Sequence, residues 1–158
     1  MQNLARTSDR IDALVAAFAA AEYVVEAPDG PIVIRVGETT PALDRLLDDA
    51  QWAVITAHNP DGRPCDAETN AAAQRSLEEC LRELQPAVLL NVCNHDPADL
   101  WPDEPAWLFT PQSIGQVDSL ARRFGQRAVL TGRPGLPTEL RIYGESNNAS
   151  GTTPAVVS

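Results

Sequence analysis

The sequence predicts a mixed α/β (α+β) protein, one mostly antiparallel sheet of about six to seven strands flanked by about three to four helices. Short runs rich in β-formers alternate with segments whose apolar residues recur at helical spacing. Turn dipeptides such as Asp29-Gly30, Asn59-Pro60, Asp61-Gly62 and Pro134-Gly135 separate them. The resulting order is helix, two strands, short helix, strand, long helix, two strands, helix, two strands, which calls for a sheet with helices packed on it. At 158 residues the chain is long enough to bury a core within a single domain, expected over 1–144 with a mobile tail over 145–158.

Ile11, Leu14, Val15 and Phe18 repeat at 3.6-residue spacing and predict a helix over 9–21, with Ser8 as its cap. Tyr23-Val24-Val25 and Ile32 to Val36 form a hairpin around Pro28-Asp29-Gly30. Thr40-Pro41 opens a short helix carrying Leu43, Leu46 and Leu47, and Asp48 and Asp49 oppose its negative end. Trp52 to Ala57 is almost unbroken in apolar character, which suits a central strand covered on both faces. His58 to Gly62 reverses the chain, Asp66 caps a long helix, and Ala73, Leu77, Leu81 and Leu84 give that helix its apolar stripe.

Pro86 ends the long helix, and Ala87 to Val92 reads as a strand, expected beside the 52–57 strand. Residues 94–105, with three prolines and four acidic residues, are expected to form an irregular loop with Leu100 and Trp101 tucked beneath it. Trp107-Leu108-Phe109 resumes a strand. Ser113 and Gln116 fit a capping box for a helix stopped by Gly125. Ala128 to Leu130 and Leu140 to Tyr143 form a second hairpin, its last strand alternating as a half-exposed edge would.

Composition narrows the function classes. The formal charge of −10 disfavours nucleic acid and anionic membranes as partners. Every one of the 12 basic residues is Arg, so no Schiff-base or P-loop lysine exists. The three cysteines lack a C-x-x-C pair and suit a reducing, cytoplasmic setting. No apolar run approaches the roughly 18 residues that a membrane-spanning helix requires. Cys93, His95 and Asp96 fall short of a closed metal site, and the acids of the 94–105 loop are expected to be a solvated rim, so no metal or cofactor is expected.

The chemistry concentrates after the central strand. Asn70 lies one heptad before Leu77 on the long helix, which aims an amide at the core and requires partners near Asn59 or Thr56. Three blocks stand out: WAVITAHNP with Asn70, Leu100-Trp101-Pro102-Asp103-Glu104-Pro105, and Phe124-Gly125-Gln126-Arg127-Ala128. Together they resemble the bacterial family known as domain of unknown function 3293, over roughly residues 22–143. The resemblance implies no activity. It implies a set of positions: Thr56, Asn59, Pro60, Asn70, Trp101, Pro102, Phe124, Gly125 and Gln126. Arg127 departs from the Asn that family members commonly carry there.

Two function classes remain open. Thr56, Asn59, Asn70 and Gln126 either line a neutral polar pocket for a small, nucleotide-like ligand with Trp101 stacked on it, or they clasp the core of a protein-interaction module. A third reading, a hydrolase or transferase using His58 with Cys65 or Asp61, needs those loop residues to converge.

Overall fold

The computed structural model describes residues 2–144 and 154–158. Its elements are α1 (Gln2–Ala20), β1 (Glu22–Ala27), β2 (Gly30–Ile34), α2 (Pro41–Leu46), β3 (Trp52–Ile55), a 3-10 turn (Pro60–Gly62), α3 (Ala67–Glu83), β4 (Leu89–His95), β5 (Glu104–Phe109), α4 (Ile114–Arg123), β6 (Ala128–Gly132), β7 (Glu139–Ile142) and β8 (Ala155–Val157). Among the described residues, eight strands form one sheet in the order β2-β1-β4-β5-β3-β6-β7-β8, and every neighbouring pair is antiparallel. The expected α/β class holds, with one strand beyond the upper expectation.

β3 is mid-sheet and buried along its whole length, as its apolar run requires. Its side chains alternate between two cores. Trp52 and Val54 join Tyr23, Val25, Ala106, Leu108 and Leu130 on one face, where Leu14, Val15 and Phe18 of α1 pack. Ala53 and Ile55 join Leu77, Leu81, Phe109, Val117 and Leu120 on the other, beneath α3 and α4. Gly132 pairs with Trp52 across β3 and β6, and a Cβ there would overlap the indole, so only glycine admits the ring.

Two boundaries and two strand pairings differ from the sequence reading. α1 starts at Gln2, so Ser8 is interior; the residues before it carry enough helix propensity to extend the pattern. β4 pairs with β1 and β5, not with β3, because β5 returns antiparallel to β4 and lies between the two. The expected loop begins later and ends earlier, since Asn94 and His95 belong to β4 and Glu104 and Pro105 to β5. β7 is not an edge: β8 pairs with it through Leu140–Val157 and Ile142–Ala155. Of the stretch expected to be a mobile tail, 145–153 lies outside the described residues, and Ala155–Val157 supplies this eighth strand.

The capping predictions concern backbone donors at helix starts. The Asp66 carboxylate accepts from Thr69 N–H at 2.7 Å and Ser113 Oγ from Gln116 N–H at 3.3 Å. Gln116 reaches back to the N–H of Gln112 rather than Ser113. Gly125 ends α4 at φ 63° and packs against Pro60, where a Cβ would stand 2.9 Å from the proline Cβ. The start of the third motif is thereby seated on the turn of the first.

Candidate functional site

Sheet register assembles the site. Tyr23 on β1 lies opposite Asn94 on β4, and Asn94 lies opposite Glu104 on β5. Continuing the β3–β5 register beyond Ile55 brings His58 beside Glu104, and His58 Nδ1 stands 3.9 Å from Glu104 Oε1. Gln126, just before β6, donates from Nε2 to the His58 carbonyl at 3.1 Å. Tyr23, Asn94, Glu104, His58 and Gln126 thus form one cross-strand row at one end of the sheet. Strand alternation puts Tyr23, Asn94 and Glu104 in phase with the buried Val25, Val92 and Ala106, on the α1 face.

The turn after β3 is held by the amides. Asn70 Oδ1 accepts from Asn59 N–H at 2.9 Å, and Asn70 Nδ2 donates to Asn59 Oδ1 at 2.9 Å. Asn59 Oδ1 also accepts from Cys65 N–H at 3.0 Å. This pair of hydrogen bonds holds Asn59 at φ 48°, a left-handed conformation that asparagine tolerates better than most residues. Gln74 Oε1 takes the Ala57 N–H at 3.0 Å, and Thr56 Oγ1 donates to the Pro105 carbonyl at 2.8 Å while accepting from His58 N–H at 3.1 Å. Thr56, Asn59, Asn70 and Gln126 are therefore brought together, with these bonds directed at the chain itself.

Two hollows flank this turn. A groove of about 890 Å³ runs between the first half of α3 and the 96–103 connection, walled by Trp101, Pro102, Pro64 and Ala71, with Gln74 and Asn70 on its α3 side. A smaller cavity of about 210 Å³ lies under α1, lined by Leu14, Phe18, Tyr23, Asn94, Gln126 and Arg127. His58, Asn59 and Glu104 line both. Burial pushes the Glu104 carboxyl above its ordinary range and the His58 imidazole below its own. Burial first, and then the Glu104 charge, lifts the Tyr23 phenol far above its usual range, so it stays a neutral donor. The shared wall therefore holds a neutral imidazole beside a carboxyl with a weakened acidity.

Several sequence expectations need correction. Glu104 is half-buried on the wall shared by the two hollows and not part of a solvated rim. Asp96 is buried too, its carboxylate accepting from Ala98 N–H at 3.0 Å and Leu100 N–H at 2.7 Å, which organises the connection between β4 and β5. Leu100 is 78% exposed and Trp101 37% exposed, so neither is tucked beneath the loop. His58, Cys65 and Asp61 do not form a triad: the acidic neighbour of His58 is Glu104, the Cys65 thiol turns to the Arg63 carbonyl at 3.6 Å, and Asp61 donates its N–H to the Gly125 carbonyl. His95 pairs with Asp103 at 2.7 Å. Among the described residues no group of three or more His, Cys, Asp or Glu is placed to hold a metal.

Sequence reasoning missed Tyr23, Asn94 and Glu104. Their signal was a polar group in step with alternating core residues, and the prolines around Glu104 hid it.

The fold and site define a mixed α/β protein with one antiparallel sheet and a paired groove and cavity at one sheet end. Residues 55–129, just under half of the chain, match the model of the family described as Protein of unknown function (DUF3293). The matched stretch holds Thr56, Asn59, Asn70, Trp101 and Gln126, and lies inside the span over which the motifs resembled the family. No curated protein and no solved structure matches the chain. Among the described residues no helix is long and apolar enough to cross a membrane.

Proposed function

We propose that this protein binds a small, planar, polar molecule of nucleobase-like character in the groove between α3 and the 96–103 connection. The observation that carries this reading is Trp101, a half-exposed indole on the wall of a hollow of about 890 Å³, within the size range of ordinary ligand sites. An indole held there offers a ring face for stacking. His58 and Glu104 supply the polar edge: a carboxylate accepts hydrogen bonds only, and a neutral imidazole both donates and accepts, which favours a ligand bearing an amino group. Thr56, Asn59, Asn70 and Gln126 serve the site by fixing the turn that presents His58. The absence of lysine and the charge of −10 speak for a base or nucleoside over a phosphate-rich ligand or nucleic acid. Unpaired Cys65, Cys80 and Cys93 suit a cytoplasmic location.

The test is a titration of nucleobases, nucleosides and nucleotides, read by tryptophan fluorescence and melting temperature, on wild type and Trp101→Ala. Trp52 and Trp107 are buried, so a fluorescence change lost in the variant reports the groove. A ligand at about 100 times its Kd should add roughly 2.7 kcal/mol of stability to the wild type. If no compound shifts either signal, the proposal fails, and the exposed Leu100-Trp101 tip becomes the place to look for a protein partner.

A further inference from the structure

The cavity beneath α1 contains polar groups that the fold does not use. Tyr23 is 2% exposed, and its Oη has no hydrogen-bond partner among the described residues. Asn94 Oδ1, on the residue directly opposite, is likewise buried and unpartnered. Leaving one such group unpaired costs about 1–3 kcal/mol, and two adjacent ones lining a hollow are better explained by a missing third party. Phe18 of α1 stacks over Tyr23 with ring centroids 6.4 Å apart and the rings 18° from parallel, so the hydroxyl is held on a fixed ring.

Size and charge narrow the occupant. A cavity of roughly 150 Å³ holds benzene, and this one measures about 210 Å³. A single six-membered ring fits and a nucleoside does not. The ionisable residues Glu104 and Arg127 both line it, and their formal charges cancel, which favours an uncharged occupant. Leu14, Phe18, Val54 and Leu130 supply apolar wall, so only part of the occupant's edge is polar.

We propose that the α1 cavity is a second binding site, separate from the groove, for an uncharged single-ring lactam whose ring N–H bonds Asn94 Oδ1 and whose carbonyl accepts from Tyr23 Oη–H. Tyr23 and Asn94 lie opposite each other on β1 and β4 and both line the cavity, so one small ring can meet both groups. Burial keeps the phenol protonated, as that donation requires.

The probe is 2-pyridone, with toluene as an apolar ring of similar size, titrated calorimetrically and by ligand-observed NMR into the full chain. Wild type binds 2-pyridone in preference to toluene, and Tyr23→Phe and Asn94→Leu each weaken that binding about tenfold, the worth of one good hydrogen bond. Tyr23→Phe removes only an unpartnered hydroxyl, so its melting temperature stays at or above that of the wild type. Trp101→Ala leaves 2-pyridone binding unchanged, which separates this site from the groove. Equal binding of toluene with no loss in either variant would overturn the proposal, leaving a plain apolar hollow. So would no binding of 2-pyridone together with an ordered water bridging Tyr23 Oη and Asn94 Oδ1 in a crystal structure.

Discussion

Replacing Asn70 with alanine removes both halves of the amide pair that holds the turn after β3. Two bonds of 2.9 Å go, one in each direction between Asn70 and Asn59, together with a longer contact of 3.4 Å from Asn70 Nδ2 to the Cys65 carbonyl. At about 1 kcal/mol for each good bond, plus about 1 kcal/mol for the Asn59 N–H left without an acceptor, the loss is about 3 kcal/mol. Alanine returns roughly 0.5 kcal/mol through its better helix propensity. The expected net cost is therefore about 2.5 kcal/mol, which for a chain of this size lowers the melting temperature by roughly 5–10 °C. Urea unfolding at equilibrium measures the first figure and calorimetry the second. Hydrogen exchange should locate the damage, with the Asn59 and Cys65 amides losing protection before the strand amides do. A loss below about 1 kcal/mol, with the Asn59 amide still protected, would refute the argument that the pair determines the turn.

Two further predictions concern charge, with opposite signs. Burial pushes the Asp118 carboxyl up, but bonds from Arg141 at 2.7 and 2.8 Å and from the Tyr143 hydroxyl at 2.6 Å outweigh it and hold the group below its ordinary value. Its stabilisation is present above the ordinary carboxyl range and lost as pH falls through the depressed folded value. Asp118→Asn should cost about 3 kcal/mol at neutral pH and flatten the acid side of the stability profile; an unchanged acid limb would contradict this. Glu104 is raised by burial, so its charged form costs stability as pH rises through the folded value. Glu104→Gln should raise the melting temperature at about pH 8 and leave it unchanged at about pH 4. A fall at the higher pH would mean that the carboxylate is compensated by a partner.

Much of the architecture was legible because periodicity and turn chemistry agreed along the chain. The β3 run, the Asp66 and Ser113 caps and both hairpins lie where their patterns put them. Asn70 was found as an amide on an apolar stripe, and it is buried and bonded to Asn59 as that position demands. Strand order was not legible, since the placement of β5 between β4 and β3 depends on long-range pairing that no local signal encodes. The row of Tyr23, Asn94 and Glu104 was hidden for the same reason. Each is unremarkable in its own segment, and only register brings them side by side. β8 escaped because three residues after a polar stretch present too short a pattern.

That strand order also governs how the molecule reaches its native state. β1 can close onto β2 by a local hairpin, but its other edge waits for β4, whose Val92 pairs with Val25 across most of the chain's first hundred residues. β3 is sealed only when β5 and β6 have both been made. Contacts of such long sequence separation cost loop-closure entropy before they return any stabilisation, so folding should be slow for the size of the chain. During synthesis the early hairpin would leave the ribosome with the unpaired β1 edge exposed, a template for pairing with other chains. The row at the sheet end is drawn from strands and turns throughout the chain, so it cannot exist in any partly folded form: the two hollows and complete folding should appear together.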